Sequence, residues 1–380
     1  MQNRLFAQLE GLPHGTLSVT TPEGTLYVFG SGEPHADIEV RDWGMLPILL
    51  ARGDIGFGET YVAGMWTTSS VEAVTALAIL NWETLIRYGE PHGLNRLKFW
   101  LLNRLVRMNS RRGASRNIRA HYDVGNEFYQ LWLDDSMTYS SALFANEDED
   151  LEAGQRRKYD RILDKLPGGA RVLEIGCGWG GFAERAVNRG RDVTGLTISP
   201  SQKGYADARL DGRADIRLQD YRDVTGKFDN IVSIEMIEAV GERFWPVYFK
   251  MIKERLAEGG RAMIQAITVP DENFDLYRRA SDYIRHYTFP GGMLLCDAAI
   301  SREAQRAGLV VKDRFAFGED YARTCRQWDE RLNDARQRIT SLGYGEPFLR
   351  SWHYYLGACA AAFAVGSTDV LQVELAHQES

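Results

Sequence analysis

The stretch VLEIGCGWGGFAERA, residues 172–186, decides how the rest of the chain is read. Val172 to Ile175 is an aliphatic run suited to a buried strand. Glycines at 176, 178, 180 and 181 interrupt it, and helical spacing resumes at Phe182. Strand, tight turn and helix make up the build of a nucleotide-binding loop. Glycines there permit the turn and let backbone approach a ligand closely. Gly176, Gly178 and Gly181 form a GxGxxG in that setting. On its own the pattern is shared with dehydrogenases.

Strands and helices alternate on both sides of the loop. EDLEAGQRRKYDRILDKL is a helix stopped by Pro167, Gly168 and Gly169, and RVLEIGCG is the strand after it. RDVTGLTIS, ADIRLQDYRD, FDNIVSIEMI and GGRAMIQAIT read as further strands. PSQKGYADARLDG and VGERFWPVYFKMIKERLAEGG read as helices between them. The order implies a mostly parallel sheet covered on both faces. The last hundred residues read as helix-rich, with no extra domain. Upstream, LSVTT, TLYVFG and DIEV are strand-like, and DWGMLPILLARG and VEAVTALAILNWETLIRYG are helical. The expected organisation is a small α+β domain over residues 1–92, a connecting segment over 93–120, and an α/β domain over 121–380.

Length and composition fit a soluble globular protein of two domains: 380 residues, 44% hydrophobic and 26% charged. No apolar run approaches the roughly 20 residues of a membrane span. MQNRLFAQLEGLPHG lacks the apolar core of a signal peptide. Cys177, Cys296, Cys325 and Cys359 have no metal-like spacing and read as reduced thiols of a cytoplasmic protein. No metal site is expected. The net charge of −7 argues against nucleic acid as a partner. Between Glu90 and Asp123 there is nevertheless no acid, and Arg96, Lys98, Arg104, Arg107, Arg111, Arg112, Arg116 and Arg119 stand among bulky apolar residues. Such a segment suits the surface of an anionic membrane, at the inner face for a cytoplasmic protein. It equally suits a helix packed by its apolar side on a core.

Three details of the loop favour S-adenosylmethionine over a dinucleotide. Glu174 lies inside the motif. No further phosphate-binding residues open the next helix. Asp220-Tyr221-Arg222 closes a later strand, where adenine contacts sit in Rossmann-like methyltransferases. The second strand ends Gly195-Leu196-Thr197-Ile198-Ser199 instead of in an acid. Thr197, Ser199 and Gln202 are the groups available there for hydrogen bonds to a ribose.

Six motifs in order then carry a family resemblance: HYDVGNEFYQLWLDDSMTYSSALF (121–144), VLEIGCGWGG (172–181), LTISPSQ (196–202), QDYRD (219–223), EMIEAVG (235–241) and HYTFPGG (286–292). The chain resembles the cyclopropane-fatty-acid synthases, methyltransferases of phospholipid acyl double bonds. GETYVAGMW (58–66) resembles the small N-terminal domain of their long bacterial members. The resemblance implies a Rossmann-like class I methyltransferase domain. It places the cofactor against Tyr139, Ser140, Glu174, Gly176, Gly178, Trp179, Gly180, Thr197, Ser199, Gln202, Asp220 and Tyr221. It implies attack of an alkene on the sulfonium methyl and a carbocation in an apolar channel. Tyr139, Phe144, Tyr287, Phe289 and Trp245 are candidate aromatic faces for that cation, each of them equally a core residue.

The cation then loses a proton to a base, in this family a bound bicarbonate held by Glu, Tyr, Cys and His. Residue by residue these fall on Glu238, Tyr321, Ser141 and Gln265, so two of the four side chains differ. Ser and Gln still offer hydrogen bonds to an anion. Loss of a proton from the new methyl gives a cyclopropane; loss from the chain gives a methyl-branched alkene. Hydride capture, by this protein or a partner reductase, gives a saturated branch; a partner desaturase and a homo-oligomer are further expectations. A small-molecule C- or N-methyltransferase and a non-catalytic lipid-binding protein are the alternatives.

Overall fold

The strand β5, Arg171–Ile175, lies in the middle of a seven-stranded sheet. In the computed structural model, which describes residues 2–89 and 124–378, the sheet continues with β6 (Asp192–Thr197), β7 (Asp215–Leu218), β8 (Phe228–Ile234) and β9 (Leu256–Thr268). β10 (Leu309–Ala316) and β11 (Asp369–His377) complete it, in the order β10-β11-β9-β8-β5-β6-β7. β5 to β9 pair in parallel, while β11 runs antiparallel to both β9 and β10. Parallel strands buried on both faces read as continuous apolar runs, which is why β5 and β8 were legible. β10 and β11 were not read as strands. Lys312, Asp313, Arg314 and Glu374 break their apolar runs.

Helices cover both faces. Trp245–Arg255 and Asp297–Arg306 enclose one core with Leu173, Ile231, Ile264 and Val373 of the sheet. Leu151–Lys165, Gly181–Asn188 and Pro200–Leu210 enclose the other with Val172, Val193, Ile216 and Val232. The sheet order brings the carboxyl ends of β5, β6 and β8 together, so the loops that follow them form one rim. Ligands of open α/β sheets bind at that rim.

The chain divides into two compact units, Met1–Val106 with Arg279–Pro290 and Cys325–Ser367, and Arg107–Arg278 with Gly291–Thr324 and Thr368–Ser380. This differs from a cut across residues 92–120, because later segments return to the first unit. That unit carries a sheet ordered β2-β1-β3-β4 from Gly15–Thr20, Leu26–Ser31, His35–Val40 and Trp66–Thr67. Its helices include Asp54–Val62, Val71–Leu80 and the late helix Glu346–Ala364. Arg350 of the late helix donates to the carbonyls of Tyr61 and Trp66, and Arg326 pairs with Glu72. Asp54–Val62 was not read as a helix, since three glycines lie in or beside it. Gly58 is required there by close packing: a Cβ would stand 2.3 Å from the Tyr283 ring. The basic segment expected over 93–120 lies outside the described residues.

Candidate active site

The glycine loop leaves β5 and enters the helix Gly181–Asn188. Gly178 adopts φ +52°, and nothing lies within 4 Å of the place a Cβ would take, so its main chain is open to a ligand. Trp179 is buried and donates from Nε1 to Asn126 Oδ1 at 2.8 Å; Asn126 Nδ2 in turn reaches the Ser201 carbonyl. Asn126, which the sequence reading had not singled out, thus ties the loop to the helix after β6. Gly180 is left-handed as the residue preceding the helix.

At the end of β6, Thr197, Ser199 and Gln202 are buried and bond to one another. Thr197 Oγ1 donates to Gln202 Oε1, and Ser199 caps the helix Pro200–Leu210 through the Gln202 amide. Beyond β7, Asp220 accepts from the Arg222 side chain through both oxygens. The Tyr221 ring meets Tyr248 edge-on at 5.7 Å. Before β5, Tyr139 packs against Tyr129 and Trp132, and Ser140 Oγ accepts from Lys158 Nζ at 2.6 Å.

Glu174, at the end of β5, is 3% exposed, and its Oε2 has no hydrogen-bond partner among the described residues. Burial pushes its carboxyl up to about 8, against the pull of Lys158. A buried carboxyl without a donor, beside an open glycine main chain, fits a ligand that brings a positive charge. A dinucleotide pyrophosphate would add repulsion; a ligand with an α-amino group offers Oε2 the donor it lacks.

A second cluster lies at the ends of β8 and β9. Glu235 follows β8 with φ +49°, in the left-handed region. Its Oε1 accepts from the Ser141 main-chain N–H at 2.9 Å and from Gln265 Nε2 at 2.7 Å; its Oε2 accepts from Tyr321 Oη at 2.5 Å. Ser141 contributes its backbone, while its hydroxyl turns to the Ala142 carbonyl. Gln265 is oriented from behind: Gln372 Nε2 donates to its Oε1, and Arg161 donates to Gln372 Oε1. Burial lifts the Glu235 carboxyl above its ordinary value, while Lys158 and the three donors hold it back. Glu238 Oε1 accepts from the Ile267 amide at 2.6 Å, and its Oε2 is buried without a partner among the described residues. Burial first, and the neighbouring Glu235 second, push Glu238 up to about 8.

The site residues expected from sequence thus fall into two groups on one sheet rim, with Tyr287 apart in the first unit. There Tyr287 Oη donates to Glu59, which also pairs with Arg52. Phe289 belongs to the same unit and meets Tyr355 edge-on. Among the other candidate rings, Trp245 is 1% exposed in the core, and Arg323 stacks over Phe144 at 3.9 Å. Glu235 is the residue the sequence reading missed. Its signal was an acid at a strand end, three residues before the acid that was chosen.

The sheet order, glycine loop and rim carboxyls define a class I S-adenosylmethionine-dependent methyltransferase. Comparison with known proteins agrees. The family model described as mycolic acid cyclopropane synthetase matches residues 109–373, and the chain belongs to that family. It is 38% identical over 352 residues to the tuberculostearic acid methyltransferase UfaA1 of Mycobacterium tuberculosis, covering 86% of this chain and 81% of that one. It is 34% identical over 351 residues to the cyclopropane-fatty-acyl-phospholipid synthase of Escherichia coli, covering 90% and 88%. Among solved structures, the cyclopropane synthase MmaA2 from Mycobacterium tuberculosis superposes with TM-score 0.65 at 28% identity, over 69% of this chain and 97% of that one. A structure of the mycolic acid cyclopropane synthase CmaA1, complexed with SAH and CTAB, gives 0.64 at 28%, over 69% and 97%.

Proposed function

We propose that the protein methylates the carbon–carbon double bond of an unsaturated acyl chain carried by a membrane phospholipid. The observation that carries the reading is the buried carboxyl pair Glu235–Glu238, on the same sheet rim as the cofactor loop. Bound S-adenosylmethionine supplies an electrophilic methyl. The chain's own residues supply the rest. Gly178 and its neighbours offer open main chain, and Glu174 answers the ligand's positive charge. Methylation of an alkene leaves a cation that must lose a proton, and a carboxylate shielded from water is suited to take it.

The resemblance of the whole chain to a fatty-acyl-phospholipid synthase supports the lipid substrate. Relatedness to a tuberculostearic acid methyltransferase and to a cyclopropane-fatty-acyl-phospholipid synthase supports both a methyl-branched and a cyclopropane product. The test uses cofactor with a fully deuterated methyl and vesicles of monounsaturated phospholipid. Acyl chains retaining two deuteriums identify loss of the proton from the transferred methyl, as cyclopropane formation requires. Chains retaining three identify loss from the chain itself and a methyl-branched alkene. Label confined to water-soluble compounds overturns the lipid reading.

A further inference from the structure

We propose that Glu235 is the built-in base of this enzyme, its carboxylate standing where related synthases hold a bicarbonate ion. The inference rests on the lipid-methyltransferase reading and concerns the group that takes the proton. Three of the four positions expected to hold bicarbonate converge on one carboxylate of the chain itself: Ser141, Gln265 and Tyr321 all donate to Glu235. A carboxylate and a bicarbonate present the same planar pair of acceptor oxygens. Donors that would grip the ion are already engaged by the side chain.

Two further features show that this carboxylate is held in place. Glu235 adopts φ +49°, where glycine is at ease and other residues are strained. Its own N–H is tied to the Gln265 carbonyl at 2.8 Å. The Gln265 amide cannot turn its oxygen toward Glu235 without losing the donor from Gln372. Fixed donors on both oxygens set the direction of the carboxylate, and Oε2, with the single donor Tyr321, keeps the more available lone pair. Burial raises the Glu235 carboxyl while Lys158 and its three donors act to lower it, and the charge of Glu235 in turn adds to the burial that pushes Glu238 up.

The step balances within the chain and the methylated substrate. For a cyclopropane, a C–H bond of the transferred methyl, which sits on the carbon beside the cation, breaks and its electron pair closes the ring as a C–C bond. For a methyl-branched alkene, a C–H bond on a carbon directly attached to the cationic carbon breaks and its pair forms C=C. The proton forms an O–H bond on Glu235 and afterwards passes to solvent. No oxidant or co-reactant is needed.

The experiment compares wild type, Glu235→Gln and Glu235→Gly in carbonate-free buffer and with added bicarbonate. Readouts are methyl transfer to phospholipid, cofactor affinity, and the linewidth of 13C-labelled bicarbonate with protein alone. Wild type is expected to turn over equally in both buffers and to leave the bicarbonate line sharp. Glu235→Gln should lose at least ~100-fold in turnover, with cofactor affinity kept within about threefold. Glu235→Gly, which the backbone accepts without strain, should broaden the bicarbonate line and recover at least ~10-fold in turnover when the ion is added. Wild type that needs bicarbonate, or broadens its line as much as the glycine variant does, overturns the assignment and leaves the lipid reading standing. Absence of methyl transfer by wild type in either buffer overturns both.

Discussion

Glu238 is a carboxyl whose proton is held by its surroundings. In the folded protein it titrates near 8, against about 4.3 for an exposed glutamate. Below the lower value both states are protonated, and this group's contribution to stability is fully present. As pH rises toward 8 the unfolded chain has released its proton and the native state has not, so the contribution falls and is lost through 8. Each pH unit of that window is worth at most about 1.4 kcal/mol. Glu238→Gln removes the titration. Its melting temperature, relative to wild type, should rise between pH 5 and pH 9, which thermal melts across that range will read. The same variant should bind S-adenosylmethionine as wild type does and, with Glu235 left as the base, lose less methyl transfer than Glu235→Gln. A collapse of cofactor affinity would move Glu238 to the cofactor group. Glu238, Ser141, Gln265 and Tyr321 were legible in the sequence because they occupy recognisable motif positions. Which atom of each does the work was not. Ser141 meets Glu235 through its backbone N–H, and that follows only from the path of the chain after Ser140.

At the level of elements, β9 and β11 set the orientation of Gln265. Gln265 and Gln372 are register partners across that antiparallel pair, and Arg161 of the helix Leu151–Lys165 closes the row. An amide is ambiguous as donor or acceptor until a neighbour decides it. Gln372→Glu removes the donor that holds the Gln265 oxygen. Gln265 then gains by turning its nitrogen toward the new carboxylate and its oxygen toward Glu235. Turnover should fall about 10-fold, as expected for one lost hydrogen bond to a charged group. Cofactor affinity should stay within about twofold, and steady-state kinetics with a cofactor titration separates the two. β5 to β9 were visible in the sequence as apolar runs between helices. β11 was not, so this row, whose partners lie 107 residues apart, could not be foreseen.

Across the whole molecule the charge is uneven. The net value is −7, yet residues 91–122 carry eight basic side chains and no acid. No helix among the described residues is long and apolar enough to cross a membrane. On the proposed phospholipid reading, the basic segment would supply charge for an encounter with an anionic bilayer surface. Replacing Arg104, Arg107, Arg111 and Arg112 by Gln should weaken binding to anionic vesicles by about 1 kcal/mol per charge. The loss should shrink as salt rises, in a vesicle co-sedimentation series. Binding unchanged at low salt would return the segment to a role within the fold.

The sequence by itself determined the glycine loop, the strand–helix alternation around it, and the class of cofactor. These are local: each is written in a dozen or so consecutive residues whose spacing obeys strand or helix geometry. It also offered Glu238 and Gln265 as candidates through motifs that travel together, and left Glu235 out. Only the tertiary structure decided that residues 141, 235, 265 and 321, from four separate stretches, meet around one carboxylate. It alone decided that residues 279–290 and 325–367 return to the first unit. Such convergence depends on sheet order and register, which long-range packing selects, and on the left-handed turn that aims Glu235 back at its donors.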